Sequence, residues 1–116
     1  MSTWDYEVFT AEANTEFLDD LARLDEDDIV EAVTDAVMLS ASGDATADEE
    51  ENGLAAATIA AIWAGAPFTA GEIVEDYPFI RGLRGAGGEH LNEQALALLE
   101  QVDSDHDLEP FTEALS

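Results

Sequence analysis

The chain has no cysteine and no lysine, and three arginines, Arg23, Arg81 and Arg84, supply all the side-chain cations of its 116 residues beyond two histidines. Without cysteine there is no disulfide framework, no thiol nucleophile and no thiolate metal site. With three arginines the clustered phosphate contacts of duplex binding cannot form, so nucleic acid is not an expected ligand. No run of about 18 apolar residues occurs, so no transmembrane helix is predicted. The longest apolar stretch, Leu54 to Phe68, is alanine-rich and broken by Gly65 and Pro67. The opening Met1–Asp5 lacks the basic residues and apolar block of a secretion signal. A cytoplasmic location away from membranes is the expectation.

What is present in excess is acid: 28 Asp and Glu, for a net charge of −25. A folded chain of this mass exposes roughly 6,000 Å², or about one excess negative charge per 250 Å². The Debye length is about 10 Å at 0.1 M salt and about 3 Å at 1 M, so repulsion is strong in dilute buffer and screened in concentrated salt. High net charge favours disorder. Yet 47% of the residues are hydrophobic, and they recur at helical spacing. A foldable core under an acidic, lysine-free surface suits a cytoplasm of multimolar salt, the haloarchaeal pattern. The alternatives are an acidic mimic of nucleic acid and a disordered acidic module.

One domain over residues 1–116 is expected. Trp4, Tyr6 and Val8 alternate with polar residues, and Phe9 follows, which reads as an ordered, irregular entry docked on the core. A helix is predicted from about Ala11 to Leu24, with Phe17, Leu18, Leu21 and Leu24 on one face. A second runs from Glu26 to Leu39, capped by Asp25, with Ile29, Val30, Val33, Val37 and Met38 inward. Residues 40–52 read as an acidic loop. The segment from about Glu50 to Ala64 is apolar nearly all round and should be central. Thr69–Glu72 fits a capping box for a short helix to Asp76. Glycines at 82, 85, 87 and 88 form a joint over residues 82–88. Helices follow over Glu89 to Val102 and from about Leu108. The expected fold is all-α, a single compact bundle of five to six short helices.

Candidate chemistry is sparse. Asp103-Ser104-Asp105-His106-Asp107 opens like a calcium loop, but Leu108 and Ala114 stand where glycine and a bidentate glutamate are required. Asp48-Glu49-Glu50-Glu51 lies on adjacent helical positions that do not converge on one point. His90 and His106 are isolated, and neither belongs to a nucleophile motif. Trp4 and Trp63 read as core. No catalytic, metal or cofactor-binding residue is assigned. The one speculative site is Arg81-Gly-Leu-Arg84-Gly85-Ala-Gly87-Gly88, where backbone amides and a helix start could hold an anion. It lacks a preceding strand, a Walker lysine and the dinucleotide fingerprint.

Trp4, Phe9, Glu12, Phe17-Leu18-Asp19 and Leu21 resemble the opening of the domain-of-unknown-function 4259 family, M-G-x-W-G-x-G-x-F-x-N-D followed by W-L-x-x-L. The helix Ala55 to Gly65 is similar to its A-A-E-V-V-A-A-x-x-G stretch, and His106 to Phe111 to its S-E-L-x-x-L-W close. Ser2, Asp5 and Glu7 stand in place of glycines, Ala11 in place of Asn, and Phe17 and Phe111 in place of Trp. The family carries no established activity, so the resemblance implies a compact, mostly helical domain. The residues themselves point to a non-enzymatic interaction domain, of accessory or immunity type, with a protein partner. A charge mimic for a basic nucleic-acid-binding protein and an anion or nucleotide site at residues 81–88 are the alternatives. Composition does not choose between internal packing of the alanine helix and a homodimer.

Overall fold

The computed structural model describes residues 4–66, 71–83, 85–102 and 108–115. Eight helical segments follow one another: α1 Trp4–Thr10, α2 Glu12–Ala22, α3 Glu26–Ala41, α4 Ala47–Trp63, α5 Gly71–Asp76, α6 Phe79–Gly82, α7 Glu89–Glu100 and α8 Glu109–Leu115. Six have seven residues or more, and α5 and α6 have six and four. No strand occurs among the described residues. The all-α expectation therefore holds.

Helix α4 is the centre. Nearly every residue from Gly53 to Trp63 is buried, Leu54 being half-buried. The reason lies in its composition. Alanine loses no rotamer entropy on burial and lets neighbouring backbones approach closely. Helices α3 and α7 pack along α4 and against each other. Helices α1, α2, α6 and α8 close the remaining sides. The core is completed by Leu18 and Leu21 from α2, Val33 and Val37 from α3, Ile80 from α6 and Leu98 and Leu99 from α7. Each full burial of such a side chain is worth about 1.5–3 kcal/mol. The Cα radius of gyration is 12.4 Å, against about 13 Å for a compact chain of this length.

The N-terminal entry differs from expectation: it is helical, not irregular. Trp4, Val8 and Phe9 lie at i, i+4 and i+5 and are buried together, while Tyr6 is exposed. The alternation in sequence concealed a helical face. Two polar contacts fix α1. The Trp4 indole N–H donates to Thr58 Oγ1 at 3.0 Å, and that hydroxyl donates to the Leu54 carbonyl at 2.8 Å. Asn14 Nδ2 donates to the Val8 carbonyl at 2.7 Å, supplying a donor to one of the carbonyls left open where α1 ends.

The acidic loop is also shorter than expected. It spans residues 42–46, because α3 continues to Ala41 and α4 begins at Ala47. Thr46 Oγ1 accepts from the Glu49 N–H at 3.2 Å, and Glu49 Oε1 accepts from the Thr46 N–H at 3.0 Å. This capping box starts the helix three residues early, with Asp48, Glu49 and Glu50 in the first turn, where the helix dipole favours acid. Asp25 is the N-cap residue of α3, though its side chain makes no capping bond. Leu24, expected on the inner face of α2, is exposed because the helix ends at Ala22. Of the capping box expected at Thr69–Glu72, Thr69 lies outside the described residues, and α5 begins at Gly71.

Helices α3 and α4 approach closely at Gly53. A Cβ added at Gly53 would collide with Ser40 Cβ and come within 3.3 Å of the Ala36 carbonyl. In an open helix interior, Gly→Ala gains about 1 kcal/mol. Here overpacking reverses the sign. Gly53→Ala should lower stability by about 1–2 kcal/mol. Gly53→Ala combined with Ser40→Gly should cost less than the sum of the two changes, as read from denaturant midpoints.

Candidate functional site

The residues of the speculative anion site fall into two groups. Arg84 and the side chain of Arg81 lie outside the described residues. Gly85, Gly87 and Gly88 are brought together in a loop that leads into α7. The Gly85 N–H donates to the Trp63 carbonyl at 2.8 Å, which pins the loop to the end of α4. Gly87 has φ +84°, and a Cβ there would lie 2.9 Å from Leu91 Cδ2 and 3.8 Å from Trp63 Cε3. Only glycine suits both that conformation and that approach. Gly88 is the N-cap of α7 in extended conformation, with no side-chain capping bond.

This loop forms one wall of a cleft of about 690 Å³. Trp63 and Ala64 from the end of α4, Asn92, Glu93 and Leu96 from α7, and Ala114 and Leu115 from α8 complete it. Glu89 lines it as well. Glu89 and Glu93 are exposed. Their negative charge opposes an anion at the glycine loop. Trp63 is 2% exposed, and its indole N–H meets no acceptor among the described residues. Leaving a buried donor unpaired costs about 1–3 kcal/mol. A second cavity, of about 360 Å³, lies between Ser40, Glu50, Leu54, Leu98, Gln101 and Val102.

The other candidates stay apart. His90 is exposed in the first turn of α7. His106, with the whole Asp103–Asp107 motif, lies outside the described residues. Within the acidic run 48–51, Glu49 is committed to the capping box and the other three are exposed. Among the described residues no group of three or more His, Asp or Glu is placed to hold a metal ion. No helix among them is long and apolar enough to cross a membrane. Sequence reasoning missed Glu93, Leu96, Ala114 and the cleft-lining position of Trp63. The i, i+4 spacing of Glu89 and Glu93 was the available signal. Nothing in the sequence placed α8 opposite them.

Fold and surface define a small, acidic, all-helical domain. Residues 2–113 match the family described as Domain of unknown function (DUF4259), and the chain belongs to it. Comparison with curated proteins gave no match, nor did comparison with solved structures.

One polar contact on the surface has a distinct pH signature. The Tyr77 hydroxyl donates to Asp19 Oδ1 at 2.6 Å and ties the α5–α6 joint to α2. That hydrogen bond above all, then partial burial and the charges of Asp19 and Asp76, push the hydroxyl from 10.0 up to about 12. A pKa raised on folding contributes stability below the unfolded value and loses it as pH rises through the folded one. Tyr77→Phe should therefore be less stable by under about 1 kcal/mol near neutral pH. The gap should stay constant to about pH 9 and narrow from about pH 10 upward. Urea denaturation across that range measures it.

Proposed function

We propose that this chain is a non-enzymatic protein-interaction domain, of accessory or immunity type, that works in a salt-rich cytoplasm. The observation that carries the reading is the division between interior and surface. Every acidic residue whose exposure is described is exposed except Glu49, which is half-buried in its capping box. Among the described residues the buried polar side chains, Asn14 and Thr58, tie α1 to α2 and to α4. The described acids therefore face solvent, and the Asn14 amide N–H and the Thr58 hydroxyl inside are used to join helices. A charge of −25 over 6321 Å² is one excess negative charge per roughly 250 Å². Such a surface supports a protein kept soluble by charge and kept folded by screening.

A second reading, an acidic mimic that captures a basic nucleic-acid-binding protein, is favoured by the run of exposed acids at the α2–α3 turn, Asp19, Asp20 and Asp25 to Asp28. Its affinity would fall steeply with salt.

Two outcomes are expected. In dilute buffer the chain should lose helix by far-ultraviolet circular dichroism, and multimolar KCl should restore it. Full helicity without added salt overturns the high-salt reading. Affinity capture from a native lysate in multimolar KCl, followed by mass spectrometry, should retain one stoichiometric protein. An activity of the isolated chain that disappears with His90→Ala or His106→Ala would overturn the non-enzymatic reading.

A further inference from the structure

The cleft between the end of α4, the glycine loop, α7 and α8 is more specific than the acidic surface around it. Glu89 and Glu93 stand one turn apart on α7, both in its lining and both exposed. Among the described residues neither has a side-chain hydrogen bond or an ion pair. The cation whose pairing is described, Arg23, sits on Asp20 at the far end of α2. Beside the two carboxylates lie apolar groups, Leu96 and Ala114, each half-buried. A free inorganic cation would leave that apolar side unfilled. An anion would meet the two carboxylates. An arginine or lysine fits both halves: its aliphatic stem covers the apolar side while its charged head reaches the carboxylates.

The volume, about 690 Å³, falls in the range of clefts that take a drug-sized group, about 300–1,000 Å³. We infer that this cleft is the docking site for a short segment of a partner protein that presents an arginine flanked by aliphatic side chains. The inference rests on the protein-interaction reading above and adds where the partner docks and by what chemistry. Long-range attraction from the −25 charge steers any basic partner to the molecule. The cleft adds a contact that survives screening, because its apolar part does not depend on salt and its ion pairs are at close range.

The test is a titration of ¹⁵N-labelled protein in about 1 M KCl, where the Debye length is about 3 Å. The probe is the acetylated, amidated peptide Ala-Leu-Arg-Ala-Leu-Arg-Ala, with the same peptide carrying glutamine for arginine as its control. The arginine peptide should shift the backbone signals of Gly85, Gly87, Glu89 and Glu93 and the indole signal of Trp63. The Trp4 indole, held by Thr58, should not move. Glu89→Gln with Glu93→Gln should weaken binding about fivefold, the loss expected of two exposed ion pairs. Absence of shifts, shifts spread over the α2–α3 turn, an equal response to the glutamine peptide, or unchanged affinity in the double variant each overturns the cleft as docking site. Capture in native salt separates the two readings. A partner retained equally by wild type and double variant leaves the interaction reading standing without the cleft, whereas no partner on wild type overturns the interaction reading itself.

Discussion

Burial of α4 on every side from Gly53 to Trp63 is the constraint on which the rest of the structure depends. A helix with Ala55, Ala56, Ala57, Ala60 and Ala61 has small side chains all round, so it gains little from packing on any one face. It becomes stable only when neighbours surround it at close range. Helices α3 and α7 meet that requirement by running beside it. The requirement also explains the glycine at position 53, where α3 comes too near for any Cβ. Even the short α1 is recruited for this purpose. Trp4 covers α4 and hydrogen-bonds to Thr58, a polar group that would otherwise weaken a dry helix.

The second constraint is electrostatic, and it runs against the first. A small-residue core has modest apolar area per residue, while the surface carries strong self-repulsion. Three arginines cannot offset 28 acids, so pairing does not relieve it. Arg23 and Asp20 are 3.9 Å apart, with side chains 80% and 76% exposed, and such a pair contributes close to nothing. Relief has to come from the solvent. Local arrangements help at the margin, by placing acids in the first turns of α3 and α4, where the helix dipole favours them.

Much of this architecture was legible in the sequence because burial here follows helical spacing. Ile29, Val33 and Val37 mark one buried face, and Leu91, Ala95, Leu98 and Leu99 another. The featureless apolar run of α4 announced its own central place. Two regions misled. Trp4, Tyr6 and Val8 alternate, so the eye reads period two, yet Trp4 and Val8 also stand one helical turn apart. Ala47, Asp48 and Glu49 read as the end of the loop, with the helix starting only at about Glu50, because they carry no apolar periodicity. The Thr46–Glu49 capping box that starts the helix there depends on two polar side chains, and an apolar pattern does not register them. The cleft was legible only in part. Its glycines were visible, but its far wall comes from α8, and that juxtaposition is tertiary.

The two constraints meet at the cleft. Helix α4 is covered from Gly53 onward, but it must end, and Trp63 closes it with a large side chain. The chain then leaves α4 and returns through the glycine loop, whose Gly85 N–H bonds to the Trp63 carbonyl. Glycine there permits the close return over the indole, and it also leaves no side chain to fill the space outside. The space becomes a cleft bounded by helices α7 and α8, each anchored to α4 by its own buried residues, Leu91 and Leu99 from one and Phe111 and Leu115 from the other. Outward-facing residues at this place, Glu89 and Glu93 among them, can therefore vary without disturbing the packing of α4. A domain whose interior is so tightly committed has few other positions where a binding specificity can be written at low cost to its stability.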